Sequence, residues 1–360
     1  MKIVEVTVGD LPGFINSQAY QSLDIKPISP QRAVSQSKNP DASDSDLALI
    51  YAAENNSLLS FAGLLPAKLS HGQGCASSSS GWWVNPDTGK TLGLPVFLKA
   101  FQGCDRKMFL TDCPAFTKEI LVKTGYFEFF PPVTGKRWFL RFYAGRRMRK
   151  KGHNDLAARV LSSADALMNL VKKPYDLFFA DSGISRGYEV VGTEKLDAGL
   201  ASFIEEHSGK YFLRQNLNKL NWMVSHPWVT ADPVNSAINY PFTTHVESFL
   251  QHFLVIRKEG ELRAIVLVSM RDNHISLPFY YGSEEWMSDT ALILRNHIIS
   301  LRASSLIVYN QALIRAFEKI KLPAYYSTSL VRYAGCSQTL SPLQPAGGLF
   351  QDGEADVVFT

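Results

Sequence analysis

Residues 82–93 read Trp-Trp-Val-Asn-Pro-Asp-Thr-Gly-Lys-Thr-Leu-Gly. This stretch places an apolar strand end, a turn and a helix start in succession. Backbone N–H groups at a helix start have no intrahelical acceptor, and the positive end of the helix dipole lies behind them. Such a corner suits a phosphate or pyrophosphate, and Lys90 adds a mobile positive charge. Two familiar anion loops do not fit. A nucleoside-triphosphate P-loop needs a glycine five positions before Gly89, where Val84 stands, and the three-glycine spacing of a dinucleotide site is absent. An ATPase is therefore excluded.

The elements that would hold this corner follow from pattern. Lys2 to Val8 suits a strand, and Pro30 to Ser37 suits a helix. Leu47 to Ala53 and Leu58 to Leu65 are apolar runs separated by Glu54-Asn55-Asn56-Ser57, which predicts a hairpin. His71 to Gly81 reads as a Gly/Ser-rich interval before a strand end at Trp82 to Val84. Leu92 to Phe101 reads as a helix, Met108 to Thr111 as a short buried strand, and Ala115 to Lys123 as a helix stopped by Gly125.

This order and the segment Thr88-Gly89-Lys90-Thr91-Leu92-Gly93 resemble the GNAT superfamily of acyl-CoA-dependent N-acyltransferases, whose pyrophosphate loop often reads R-G-K-G-L-G. The resemblance covers about residues 1–130, with Leu47 to Leu65 similar to the central hairpin and Trp82 to Val84 similar to the strand that splays open for the cofactor. It implies acetyl-CoA or another acyl-CoA as co-substrate, with Trp83, Val84, Thr88, Gly89, Lys90, Thr91, Leu92 and Gly93 binding it. Departures are equally specific. Thr88 replaces the usual Arg or Gln, and Thr91 replaces the middle glycine. Leu121 stands where a tyrosine often protonates the leaving thiolate, and Ser77 to Ser80 stand where a glutamate base is often found. Acid and base are thus unassigned. Asp112 is open to two readings, a water-relayed base or the N-terminal cap of the helix after Pro114. Cys113 reads as a nucleophile without a fixed His partner or as a small buried residue.

The rest of the chain repeats the order. Glu189 to Val191 is a strand, Phe253 to Arg257 and Leu262 to Met270 form a hairpin, and His274 to Tyr281 is a third run. A helix at Glu285 to Leu301, a strand at Leu306 to Tyr309 and a helix at Ala312 to Ile320 complete it. Strand and helix order at near-constant offset predicts an internal duplication. At the position of the pyrophosphate loop the repeat has Gly282-Ser283-Glu284-Glu285-Trp286, whose carboxylates would repel pyrophosphate. Arg214, Asn218 and Trp222 at four-residue spacing line one face of a further helix, to be read as a cleft wall or as interior packing.

Between the repeats, residues 136–151 hold eight Lys/Arg and no Asp/Glu, interleaved with Trp138, Phe139, Phe142 and Tyr143. Nucleic-acid binding is the sharp reading, and a solvated strand edge with a turn at Arg146 to Lys151 the bland one. Neither repeat is basic and no nucleic-acid motif is present, so the bland reading is preferred. Helical spacing from Leu156 to Val171 predicts a connecting helix over about 154–171 that Pro174 ends.

With 360 residues, 46% apolar and 19% charged, the chain is expected to fold as two ordinary domains. Its longest apolar run, Leu262 to Met270, is about half of a bilayer span. Four cysteines without paired spacing give neither a disulfide framework nor a metal site, and the expected compartment is the cytoplasm. The fold class expected is α/β (α+β): two GNAT-like lobes, each a mixed, mostly antiparallel central sheet flanked by helices. The domains expected are 1–135, acyl-CoA binding; 136–185, basic strand and connecting helix; and 186–360, a degenerate second lobe. The resemblance implies N-acyl transfer, with N-acetylation the form expected, to a primary amine of a small molecule; the alternative is a non-catalytic acyl-CoA sensor or scaffold.

Overall fold

Asn55 and Asn56 both adopt positive φ, the geometry of a two-residue hairpin turn that Asn tolerates, and they close β2 (Leu47–Glu54) onto β3 (Ser57–Lys68). The same device, Glu259 and Gly260 at positive φ, joins β9 (Phe249–Lys258) to β10 (Glu261–Arg271). These hairpins are the centres of two units in the computed structural model, which describes residues 1–150, 155–180, 187–233, 237–341 and 350–359. One unit comprises 1–133, 194–249 and 332–360; the other comprises 134–193 and 250–331.

In the first unit β1 (Lys2–Thr7), β2, β3 and β4 (Cys75–Val84) run antiparallel in that order. β5 (Met108–Cys113) then joins β4 in parallel, and the far end of β13 (Tyr326–Ser337) pairs antiparallel with β5 and with β6 (Phe127–Phe129). Alternation along β2 sends Ile50 and Ala52 to one face and Leu49 and Tyr51 to the other. The first pair packs under α4 (Gly93–Gly103), through Val96, Phe97, Ala100 and Phe101, with Leu121 of α5 (Ala115–Lys123). The second packs under α1 (Leu11–Asn16), α2 (Gln18–Gln21) and α3 (Pro30–Gln36), through Leu11, Tyr20 and Ala33.

The second unit repeats this plan. β8 (Tyr188–Thr193), β9, β10 and β11 (His274–Gly282) form the order of the sheet, β12 (Ser305–Val308) is parallel to β11, and β7 (Val133–Phe139) is antiparallel to β12. α10 (Met287–Ser300) follows β11 and α11 (Gln311–Ile320) follows β12, as α4 and α5 follow β4 and β5. Leu254, Val266, Leu277, Leu294 and Phe317 are among its buried core. The expected fold class therefore stands: mixed, mostly antiparallel sheets flanked by helices, present twice.

Several local expectations change. The Ser-rich interval before Trp82 is strand, because Ser77, Ser78 and Ser80 are buried in a sheet whose ladder satisfies the backbone. The basic segment is not a turn: Ala144–Lys150 forms a helix, α6, and Phe142 and Tyr143 lie outside β7; Lys151 falls outside the described residues. α7 (Asp155–Ala180) continues through Pro174 to Ala180, held by buried Lys172 and Asp176 across that turn (3.0 Å). Residues 194–249, with α8 (Ala201–Ser208) and α9 (Leu217–Ser225), and residues 332–360 cluster with the first unit, although the sequence reading groups them with the second. No helix among the described residues is long and apolar enough to cross a membrane.

Candidate functional site

Pairing between β4 and β5 is confined to their starts, Ser77 with Met108 and Ser78 with Phe109. From Ser79 onward the two strands have no register with each other, and β4 continues to Val84 on β3 alone. β4 is bent where this happens. Its ladder with β3 shifts register between Ala62 and Leu64, and Gly81 at φ +87° takes up the bulge, a conformation that costs other residues a steric penalty. The outer edge of β4 leading to Trp83 and Val84 thereby has no strand partner among the described residues.

The turn after Val84 is built by Asn85. Its amide donates to Leu59 O (2.8 Å), its carbonyl accepts from Gly89 N (3.0 Å), and its Oδ1 accepts from Asp87 N and Thr88 N (3.0 and 3.2 Å). Gly89 is buried against β3 so closely that a Cβ there would lie 1.9 Å from Leu59 O. The amide of Leu92 returns to Gly89 O (2.8 Å). The amides of Lys90, Thr91, Gly93 and Leu94 meet no acceptor among the described residues, and α4 has no side-chain cap at Leu92. Trp82 Nε1 donates to Gly93 O (3.1 Å), fixing the first turn of α4 to the strand. Lys90 and Thr91 are exposed beside these amides. All eight expected cofactor-binding residues thus fall on one strand end, one turn and one helix start.

Where β4 and β5 part, the C-terminal segment comes between their side chains. Thr111 Oγ1 on β5 donates to Glu354 O (3.2 Å), and Asp356 accepts a hydrogen bond from Ser80 on β4. The Ser80 hydroxyl in turn accepts from Arg32 Nη2 (2.8 Å), which also donates to Ser80 O; Arg32 Nη1 donates to Tyr240 Oη (2.9 Å). The Arg32 guanidinium lies over Trp228 (4.2 Å), an arrangement that immobilises a charge facing Asp356. Burial pushes the half-buried Asp356 carboxyl above the usual carboxylate range, Arg32 and the Ser80 hydrogen bond drawing it back.

Asp112 sits on this same stretch of β5, exposed between buried Thr111 and Cys113. It does not cap α5: the cap position is Pro114, with no side-chain hydrogen bond. Partial burial raises its pKa and Arg332 opposes the rise. The Asp112 charge adds to the upward shifts of Asp352, pushed up to about 6 chiefly by burial, and of Asp356. Cys113 is buried and pushed up to about 12, mainly by desolvation, so it is a core thiol and no nucleophile at neutral pH. Leu121 is fully buried in the core and offers no acid.

Sequence reading missed Arg32, Tyr240 and Asp356, and placed Ser80 on the strand without a partner. Their convergence depends on contacts 48 to 208 residues apart for the arginine alone, and no local pattern marks it. One signal was present: Asp352, Glu354 and Asp356 alternate in a short segment that carries no Lys or Arg.

The remaining candidates separate clearly. Trp222 is buried on α9, donates Nε1 to Ser35 O (2.9 Å) and meets Phe359 edge-on (5.0 Å), so it is interior packing of the first unit; Arg214 precedes the helix. In the second unit the corresponding corner carries Glu284 and Glu285 in the first turn before α10, with no lysine.

No protein-family model and no curated protein matches the chain. Solved structures are similar in chain path. A GCN5-related N-acetyltransferase from Kribbella flavida aligns at 12% identity over 93% of this chain and 70% of that one, with a TM-score of 0.49. A tandem GNAT protein from the clavulanic acid biosynthesis pathway aligns at 10% identity over 93% and 98%, with a TM-score of 0.46. Saccharomyces cerevisiae N-myristoyltransferase with bound myristoyl-CoA aligns at 10% identity over 93% and 82%, with a TM-score of 0.47. At these identities and scores the functional reading rests on the geometry of this chain's own β4–α4 corner.

Proposed function

We propose that the first unit binds acetyl-CoA or another acyl-CoA and transfers the acyl group to a primary amine of a small molecule, the second unit being a degenerate copy of the same plan. The observation that carries this reading is the outer edge of β4, without a strand partner among the described residues, running into a helix start with four unclaimed amides. In this reading the amides of Lys90, Thr91, Gly93 and Leu94, with the Lys90 ammonium, hold the pyrophosphate. Trp83 and Val84, at the end of β4, hold the acyl-bearing arm, and Val84, whose N–H faces away from β3, presents it to the thioester carbonyl.

The chemistry needs little more than alignment. A neutral amine attacks the thioester carbon, the carbonyl oxygen takes up negative charge, and the C–S bond breaks to release the thiolate of CoA. The amine's proton passes to a carboxylate. Asp356, fixed by Ser80 and Arg32, and Asp112 on β5 are the carboxylates at the strand divergence, and burial, which raises both above the usual carboxylate range, favours proton uptake by a general base. The departing thiolate takes its proton from water.

Thermal unfolding with and without CoA tests binding, since a ligand held only by the native state raises the melting temperature. Release of free thiol from acetyl-CoA against a panel of amines tests transfer. Asp356→Asn is expected to slow transfer about a hundredfold or more while leaving the CoA-induced shift in place. A second reading, an acyl-CoA sensor, is favoured by Leu121, whose full burial leaves no side chain to protonate the thiolate. A melting shift with no thiol release for any amine selects it.

A further inference from the structure

The basic segment between the repeats, which the transferase reading does not use, builds a pocket of its own within the second unit. A cavity of about 150 Å3 is lined by Phe139, Arg141, Phe142, Tyr143, Arg147 and the Tyr325–Tyr326 pair. That volume is close to the cavity size that accommodates one benzene ring. Phe139 stacks on Tyr326 (4.2 Å between ring centres, 13° between planes) and is near-parallel to Tyr143 (6.3 Å, 13°), while Phe142 meets Tyr325 at 4.1 Å with a tilt of 51°. Tyr325 and Tyr326 nevertheless remain 39% and 56% exposed, so these faces are not spent on the core.

The lining holds no acidic side chain. Of its two arginines, Arg141 is committed to Asp176 on α7 (2.7 Å). Arg147 is exposed and has no carboxylate partner among the described residues. The loop bearing the pocket is fixed in advance. Asn169 of α7 accepts from Phe142 N and donates to Phe142 O (2.9 Å each), and Gly145 N donates to Asp165 (2.8 Å). A pocket prepared without its ligand loses little conformational freedom on binding.

We infer that this pocket binds a small ligand consisting of a single planar ring that carries one anionic group, an aryl carboxylate in its simplest form, with the ring against the exposed face of Tyr326 and the anion on Arg147. The volume of the pocket limits the ring, the exposed aromatic face of Tyr326 favours a flat partner, and the Arg147 guanidinium, without a carboxylate partner among the described residues, sets the charge. This site is independent of the acyl-CoA reading.

Calorimetric titration of the full chain with benzoate tests it, with benzamide, acetate and cyclohexanecarboxylate as comparators. Benzoate is expected to bind saturably and at least about tenfold more tightly than each comparator, the scale of one charge-assisted hydrogen bond or one aromatic stack. Arg147→Gln is expected to abolish the preference for benzoate over benzamide, Tyr326→Ala to weaken both, and Tyr326→Phe to restore them. The melting temperature of each variant without ligand shows that the fold is kept. Equal binding of benzamide and benzoate, or no saturation with the intact chain, overturns the proposal. So does exclusive binding of a single-stranded oligonucleotide with affinity falling steeply in salt, which would assign the segment to nucleic acid.

Discussion

The two units place the same elements around the same corner and fill it with opposite charge. In the first, β4 ends in a turn where the amides of Lys90, Thr91, Gly93 and Leu94 meet no acceptor among the described residues, with the Lys90 side chain beside them. In the second, β11 ends at Gly282 and the next turn carries Glu284 and Glu285, which complement the helix dipole from within the chain. Trp286 at the same turn is covered by Lys258 (4.8 Å) and Arg263 (4.4 Å), so the nearby cations are directed onto a ring. The strand order needed to make the corner is thus separable from the residues that give it an anion to hold. Under the proposed reading, the shared architecture of the second unit is not expected to bring the same ligand with it.

The strongest way to break this comparison is to give the first corner the charge of the second. Thr91→Glu places a carboxylate on an exposed position beside the unclaimed amides and is expected to eliminate the CoA-induced rise in melting temperature. At a hundredfold excess over Kd that rise corresponds to about 2.7 kcal/mol. A variant that still responds fully would remove the pyrophosphate assignment. Gly89 is the poorer site for this test, because even Gly89→Ala collides with Leu59 O and is expected to cost about 1–3 kcal/mol of stability, read by denaturant unfolding.

The units also differ in how acid and base act on them. In the first, burial pushes Glu354 up to about 8, with Lys219 and the Gln215 hydrogen bond opposing. The folded form binds this proton more tightly than the unfolded chain, so the contribution is complete below pH 4.5 and is lost as pH rises toward 8, at a slope of up to roughly 1.4 kcal/mol per unit. In the second unit burial, with His252 beside it at 2.9 Å, depresses His297 to about 4. There the folded form binds the proton less tightly, and stability is lost as pH falls from 6.5 toward 4. Calorimetric melts across pH 4–8 are expected to flatten on the alkaline side in Glu354→Gln and on the acid side in His297→Gln. The reverse assignment would refute the burial argument.

How much of this was legible beforehand follows the range of the forces. The hairpins at Asn55-Asn56 and Glu259-Gly260, the helix Ala115–Lys123 and the strand Met108–Cys113 are set by turn chemistry and nearby apolar spacing, and sequence reading finds them. The eight residues proposed for the anion corner are contiguous or nearly so, and local pattern is enough to nominate them. β4 was half hidden because serine is a poor indicator of strand when the sheet, not the side chain, supplies the hydrogen bonds. Of the carboxylates at the strand divergence, Asp112 is nominated by sequence and Asp356 is not. Asp356 reaches Ser80 only because the end of the chain returns to the first unit, and Arg32 reaches both from α3. Such a constellation is assembled by topology, which local periodicity does not encode.

The smallest effect is the most discriminating for the comparison itself. If Glu284 and Glu285 serve only to complement the start of α10, replacing both by Gln removes a favourable charge–dipole interaction of about 0.3–1 kcal/mol each and lowers the stability of the second unit by that amount. Neutralising them does not recreate the first corner. Gly282 is followed by no lysine before α10, and no residue there reproduces the Asn85 turn that presents successive amides in the first unit. The double variant is therefore expected to melt slightly lower and to gain no response to CoA, and the Thr91→Glu variant of the first unit should remain unresponsive when the two are combined. A CoA response appearing in that combined variant would mean that both corners are built to receive pyrophosphate and that two carboxylates alone keep the second one closed.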